Sequence, residues 1–107
     1  MNNPKPFAVP SNEMVERLAD LFGLMGDATR LKIIMTCLET PTSVSDIATQ
    51  LELSQPLVSH HLRLLKAARM VRAQRQGKQV FYVAADEHVQ CVITDMVEHF
   101  SEPEEEV

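Results

Sequence analysis

Apolar residues recur at helical spacing through the first third of the chain and predict two helices. In residues 13–24 they lie three or four positions apart, at Met14, Val15, Leu18, Leu21 and Phe22. In residues 28–38 a second stripe consists of Leu31, Ile34, Met35 and Leu38. Ser11 or Asn12 can cap the first helix and Asp27 the second, because short polar side chains accept hydrogen bonds from free backbone N–H groups.

Two shorter helices separated by a tight turn follow. Ser43 or Ser45 starts the first of them, which turns Val44, Ile47, Ala48 and Leu51 inward. The turn falls at residues 52–53, and Ser54 then caps a helix that packs Val58, Leu62 and Leu65 inward. Its other side is polar and basic. Two short helices in this relation, the second with a polar outer face, are typical of a helix-turn-helix.

The period then changes from about 3.6 to 2, which favours strands. Strand-like runs lie around Val71 and over residues 80–83, with Gly77 in the turn and Arg75 and Lys78 at its tip. A hairpin directly after a helix-turn-helix is a wing. Asp86 then caps a last helix that extends to about residue 100.

These elements predict a mainly α protein with a small β-hairpin, a winged helix-turn-helix in the order α-α-α-α-β-β-α. With 107 residues the chain is expected to form one domain over residues 11–102. We expect residues 1–10, which are Pro-rich, to be a flexible arm, and residues 103–107 to be an acidic disordered tail.

The composition bears on where in the cell the protein is expected. No apolar stretch approaches the roughly 20 residues that span a bilayer, so no membrane contact is expected. The N-terminus lacks the apolar region of a signal peptide. The two cysteines, Cys37 and Cys91, form no CxxC pair and suggest no disulfide framework. A reducing cytoplasm is the simplest location.

The distribution of charge points to nucleic acid, although the net charge is −5. Residues 53–85 contain no Asp or Glu and hold six of the ten basic residues, namely Arg63, Lys66, Arg69, Arg72, Arg75 and Lys78. Such a basic island suits a phosphate-facing surface. A winged helix that binds only protein is the alternative, and the uninterrupted island argues against it.

Residues on the outer side of the second short helix and at the hairpin tip are the candidates for contacts with double-stranded DNA. Gln55, Ser59 and His60 can reach base edges, while Arg63, Arg75 and Lys78 can reach phosphates. The candidates are Ser54, Gln55, Ser59, His60, Arg63, Arg75 and Lys78. Because neighbours on a helix point about 100° apart, one of His60 and His61 can pack while the other faces DNA.

The last helix carries two histidines with a carboxylate near each. His88 and His99 are eleven residues apart, so they share one edge of the helix but lie roughly 16 Å apart along it. A zinc–nitrogen bond is about 2 Å, so one helix cannot bring both to one ion. An antiparallel pair of these helices can, gathering Asp86 and His88 of one subunit with His99 and Glu102 of its partner. The residues alone also allow an interpretation without metal, in which the Asp caps the helix, the two histidines lie at the surface and the Glu is solvated.

The chain resembles the ArsR/SmtB family of bacterial metal-responsive repressors. Three stretches in this order carry the resemblance: LMGDATRLKII, SDIATQLELSQPLVSHHLRLLKAARMV and RQGKQVFYV. The resemblance implies a homodimer, formed through the first and last helices, that binds an inverted-repeat operator and is released by metal.

The resemblance also bears on the metal site. Asp86, His88, His99 and Glu102 match the Asp-x-His and His-x-x-Glu pattern of the family's last-helix zinc site, which implies Zn(II), with Co(II) possible. Some family members have a second site that uses a Cys-x-Cys motif at the start of the helix-turn-helix. Ser43 and Ser45 stand there instead, so no metal is expected at that place.

Two other functions compete with metal-responsive repression. A repressor of the same fold could sense thiol-reactive or redox signals through Cys37 and Cys91, without metal. An enzyme is not expected, because no phosphate loop, no Ser-His-Asp order and no open metal site is recognisable.

Overall fold

The computed structural model describes residues 5–104 and has five helices and three strands. In chain order they are α1 (Asn12–Met25), α2 (Ala28–Thr36), β1 (Thr42–Ser43), α3 (Val44–Leu51), α4 (Gln55–Ala67), β2 (Val71–Gln76), β3 (Gln79–Ala84) and α5 (Glu87–Ser101). The predicted winged helix-turn-helix is therefore confirmed.

Each helix begins directly after a side-chain cap. The capping oxygen accepts a hydrogen bond from the backbone N–H three residues later, at 3.0 to 3.3 Å. The caps are Ser11, Asp27, Ser43, Ser54 and Asp86. The structure thus selects Ser11 over Asn12 for α1 and Ser43 over Ser45 for α3.

The core lies between α2, α3, α4 and the base of the sheet. Its largest fully buried side chains are Ile33, Ile34, Cys37, Ile47, Val58, Leu62 and Leu65. One inward assignment on α2 was wrong: Met35 is 43% exposed, whereas Ile33 is fully buried. The stripe on α2 therefore faces the core through Ile33 and Ile34, and Met35 lies toward a surface groove.

Helix α2 ends at Thr36 and not at the predicted residue 38. The Cys37 carbonyl accepts a hydrogen bond from the Ala84 N–H of β3, at 3.0 Å. Pairing with a strand takes the place of another helical turn, so a long-range contact sets this boundary.

The wing is a three-stranded antiparallel sheet in the order β1-β3-β2, where the sequence predicted two strands. The missed strand is only two residues long, and it pairs Thr42 with Tyr82 and Ser43 with Phe81. Two residues are too few to show a period, so only the fold reveals this strand.

The predicted ends lie partly outside the described residues. Residues 5–10 are exposed and have no regular secondary structure, and neither do residues 103–104. Residues 1–4 of the predicted arm and 105–107 of the predicted tail lie outside the described range. Between residues 5 and 104, no helix is both long enough and apolar enough to cross a bilayer.

Candidate nucleic-acid interface and metal site

The turn between α3 and α4 is fixed by one residue with a positive φ. Glu52 has φ 57° and ψ 43°, and the next residue, Leu53, donates its N–H to the Ala48 carbonyl at 2.9 Å. In α3, which precedes the turn, Ile47 and Ala48 are buried. The turn therefore holds α4 against α3, and the outer face of α4 is left exposed to solvent.

The outer face of α4 carries most of the predicted DNA contacts. Gln55, His60 and Arg63 are exposed, and Ser59 is half-buried. Ser54 is exposed too, but its hydroxyl already accepts the Leu57 N–H at 3.3 Å. Four side chains capable of hydrogen bonding thus share one exposed surface, and Ser54 combines capping with its predicted role.

His61 lies on the opposite side of α4 and is only 7% exposed. Its Nδ1 accepts a hydrogen bond from Arg30 Nε, at 3.1 Å. Burial and the Arg30 guanidinium together lower the pKa of His61 below its ordinary value. The histidine pair therefore divides as the helical geometry allows: His61 packs inward and His60 faces solvent.

The hairpin tip places the two predicted wing contacts at the surface. Gly77, with φ +63°, makes the turn after β2, and Lys78 follows it. Arg75 lies opposite Val80 in the ladder, and both basic side chains are exposed. The tip can therefore present two positive charges to a phosphate backbone.

The structure divides the basic island between surfaces. Lys66, Arg69 and Arg72 line an open groove together with Arg17 of α1, a residue that the sequence analysis missed. Asp86 and His88 line the same groove. No local pattern signals this grouping, because Arg17 is far from the island along the chain.

The four predicted metal ligands lie at the two ends of α5. Asp86 and His88 are exposed at its start, and His99 and Glu102 are exposed at its end. Asp86 Oδ1 accepts the Val89 N–H at 3.1 Å, which leaves its second oxygen free. Helix α5 is continuous between the two pairs.

No three His, Cys, Asp or Glu side chains come together as a metal-binding group within residues 5–104 of a single chain. The four predicted ligands are thus not assembled within the described part of one chain. The donors themselves suit Zn²⁺: two imidazole nitrogens and two carboxylates are common zinc ligands, and all four side chains are accessible.

An apolar groove lies between α1, α2 and α5, with a volume of about 690 Å³. Its walls carry apolar side chains that are 41–83% exposed, among them Leu18, Phe22, Val92, Met96, Val97 and Phe100. An exposed apolar area of this kind marks an interaction surface. The last-helix stripe is thus divided: Val89 and Ile93 are buried in the core, and the rest faces the groove.

The two cysteines are in different environments. Cys37 is fully buried, and burial raises the pKa of its thiol to about 11. Cys91 is exposed on α5. Because the thiolate is the reactive form, the burial of Cys37 disfavours it as a sensor.

Fold and site together define a winged helix-turn-helix regulatory protein, and comparisons with known proteins agree. The family described as "Bacterial regulatory protein, arsR family" matches residues 27–73. The chain is 34% identical to the HTH-type transcriptional repressor SmtB of Mycobacterium tuberculosis over 95 residues, which cover 89% of this chain and 70% of the relative. The chain therefore belongs to the ArsR/SmtB family.

Two further matches are informative. The cadmium resistance transcriptional regulatory protein CadC homolog of Staphylococcus aureus is 39% identical over 77 residues, 71% of this chain and 64% of the relative. The homodimeric winged helix-turn-helix domain Mb0332 of Mycobacterium bovis superposes with a TM-score of 0.80 at 24% identity, covering 92% of this chain and 94% of that one. The latter similarity shows the fold.

Proposed function

We propose that this protein is a transcriptional repressor that binds an inverted-repeat operator as a homodimer and leaves it when Zn(II) or Co(II) is bound. The face of α4 reads the major groove through Gln55, Ser59 and His60, with Ser54 at its edge. Arg63 and the wing residues Arg75 and Lys78 contact phosphates, which supply affinity more than sequence discrimination.

The dimer forms through α1 and α5. The apolar groove between these helices is lined almost wholly by apolar surface, which is unfavourable in water and favourable against a second copy. Several relatives' names describe repressors, and the name of Mb0332 describes a homodimer. We infer an antiparallel α5 pair with its two-fold axis near Ile93 and Thr94.

One observation carries the metal proposal: a single unbroken helix holds Asp86 and His88 at its start and His99 and Glu102 at its end. In an antiparallel pair, each start meets the other end. Asp86 and His88 of one subunit then join His99 of the partner subunit and Glu102 of the partner subunit, and symmetry makes two such sites. An ion held by these residues would cross-link the two α5 helices.

The donor set favours zinc over softer ions. Two nitrogens and two oxygens form a closed four-coordinate set, whereas cadmium and Cu(I) prefer thiolates. The CadC homolog is named for cadmium resistance, but this chain has Ser43 and Ser45 at the start of α3, where Ser43 caps the helix. Cys91, the exposed thiol of α5, is not in the proposed ligand set.

Operator binding is tested with DNA selected from a random double-stranded library by the metal-free protein. We expect an inverted repeat with half-sites about one helical turn apart. Zn(II) should then weaken binding of the wild type by about 5- to 150-fold, the usual range of allosteric coupling. His99→Ala should bind DNA normally but lose the zinc response, whereas Glu98→Ala, on the same exposed turn, should keep it.

Mixed dimers test whether each site spans two subunits. His88→Ala and His99→Ala each damage both sites when present in both subunits. A dimer of one His88→Ala chain with one His99→Ala chain retains one complete site, because the two defects fall in the same site. Zinc titration of the mixed dimer should therefore recover one ion per dimer, while neither parent binds tightly.

Two results would contradict the proposal. If mixing restores no zinc binding, the ligands do not come from both subunits. If X-ray absorption of the zinc-loaded protein shows a sulfur neighbour, Cys91 or Cys37 belongs to the site and the proposed ligand set is wrong. Release from DNA by peroxide or sulfide without any zinc effect would instead support the thiol-based alternative.

A further inference from the structure

A single guanidinium joins three helices behind the DNA-facing side of α4. Arg30 of α2 donates through Nε to His61 Nδ1 of α4 at 3.1 Å, and through one terminal nitrogen to the Leu24 carbonyl of α1 at 3.2 Å. The backbone N–H of the same arginine is held by the Asp27 cap at 3.0 Å. The arginine is thus fixed at both ends.

This contact requires one protonation state of His61. An arginine side chain only donates hydrogen bonds, so His61 Nδ1 must be unprotonated and neutral His61 carries its proton on Nε2. Its charged or titratable neighbours are Arg30 and Asp27 from α2 and its cap, and His60 from α4. Protonation of His61 would place two donors face to face and end the hydrogen bond.

The position of the contact on α4 connects it to the DNA face. His61 directly follows His60 and lies two residues after Ser59, both on the outer side of the helix. Hydrogen bonds to base edges form only over a few tenths of an ångström and within a limited angle. A small rotation of α4 about its inner side therefore changes every base contact at once.

We propose that Arg30 and His61 are positioning residues for DNA recognition: their hydrogen bond sets the angle of α4 against α2 and the end of α1. This inference rests on the proposed DNA-binding function. Apolar packing by Val58, Leu62 and Leu65 holds α4 in place but is not directional. The Arg30–His61 hydrogen bond is directional, and it selects one arrangement among those that apolar packing allows.

The dependence of operator affinity on pH can distinguish loss of this hydrogen bond from loss of packing alone. Burial and Arg30 lower the pKa of His61. The unfolded chain takes up this proton near the ordinary value of 6.5, and the folded chain takes it up only at lower pH. Falling pH through that interval therefore disfavours the folded arrangement, and operator affinity should fall as folded His61 becomes protonated.

Matched substitutions separate the hydrogen bond from simple packing. His61→Asn places an amide oxygen near the position of Nδ1 and cannot be protonated, so it should keep operator affinity within about threefold. His61→Leu removes the acceptor and should weaken binding about tenfold at pH 8, as expected for one lost hydrogen bond to a charged group. Glu98→Ala, on α5 and outside the DNA-contacting residues, is the control.

The measurement is fluorescence anisotropy on the selected operator with chelator present, from about pH 8 to about pH 5. The ratio of wild-type to His61→Asn affinity should decrease as the pH is lowered, and Glu98→Ala should show the same decline as wild type. A double-mutant cycle of His61→Leu with Arg30→Met should be non-additive, because each substitution removes the same Arg30–His61 hydrogen bond. Circular dichroism at the binding temperature establishes that each variant is folded.

NMR tests the contact without DNA. Imidazole nitrogen shifts of the full chain should show His61 with an unprotonated Nδ1 and a protonated Nε2 at neutral pH, and a titration of His61 below the ordinary value of 6.5. A protonated Nδ1, or an ordinary titration, would overturn the proposal. So would folded His61→Leu that binds the operator as tightly as wild type. Wild-type protein that selects no operator, with the expected NMR result, would refute the proposed function while leaving the helix-positioning contact in place.

Discussion

At the scale of single residues, burial on α4 separates side chains of the same chemical type. Leu62 is fully buried, whereas Leu57, five residues earlier on the same helix, is 40% exposed. His61 and His60 differ in the same way. The inner side of α4 therefore maintains the fold, and the outer side is available to a ligand.

A matched pair of leucine truncations tests this division. Leu62→Ala should lower the free energy of unfolding by about 2–5 kcal/mol, because it removes buried methyl groups and leaves a cavity. Leu57→Ala should change it by less than about 1 kcal/mol. Urea denaturation of both variants measures the difference. Equal effects would show that α4 does not pack as described.

At the scale of elements, two glycines have opposite roles. Gly77 turns the wing with φ +63°, a conformation that an L side chain rarely adopts. Gly23 lies within α1 with ordinary helical geometry, and an added Cβ there would meet nothing within 4 Å. Only the first glycine is required by the backbone.

Alanine substitutions should therefore have opposite signs. Gly77→Ala should destabilise the protein by about 1 kcal/mol, since a Cβ is strained in the left-handed region. Gly23→Ala should stabilise it by about 0.5–1 kcal/mol, because glycine has more freedom to lose on folding. Thermal unfolding of both variants provides the comparison. A neutral Gly77→Ala would mean that the turn relaxes to another geometry.

At the scale of the whole molecule, the two grooves have different chemistry. The groove between α1, α2 and α5 is apolar, whereas the groove at the junction of α1, α4, β2 and α5 is lined by Arg17, Lys66, Arg69 and Arg72. The proposed dimer covers the apolar groove. His88 lines both grooves. The proposed metal site therefore lies at the boundary between the apolar groove and the basic groove.

A charge in the apolar groove should break the dimer. Met96→Glu, at a position 50% exposed in the single chain, would bury a carboxylate between subunits and leave it unpaired. Sedimentation should find a monomer at concentrations where wild type is dimeric, with operator affinity reduced at least about tenfold because a monomer engages one half-site. Thr49→Glu, at an exposed position of α3, is the control and should remain dimeric. A dimeric Met96→Glu would place the interface elsewhere.

Local patterns were sufficient for most elements and for three of the five helix caps, Asp27, Ser54 and Asp86, while the caps of α1 and α3 were each limited to two candidate residues. Periods of 3.6 and 2 identified α1 to α5 and the hairpin, because each pattern reflects contacts within one element. They failed where a distant partner decided the outcome. Strand β1 exists only because β3 lies beside it, and α2 ends at Thr36 because Cys37 pairs with Ala84. The exposure of Met35 likewise depends on which helices surround α2.

The sequence by itself determined the class of fold, the outward face of α4 and the presence of a histidine and a carboxylate at each end of α5, since these follow from residue identity and helical spacing. The tertiary structure alone decided that His61 turns inward to Arg30, 31 positions away along the chain, and that Arg17 joins three residues of the basic island. Such groupings depend on packing between helices that are far apart in the sequence. The spacing of residues within a single segment cannot predict that packing.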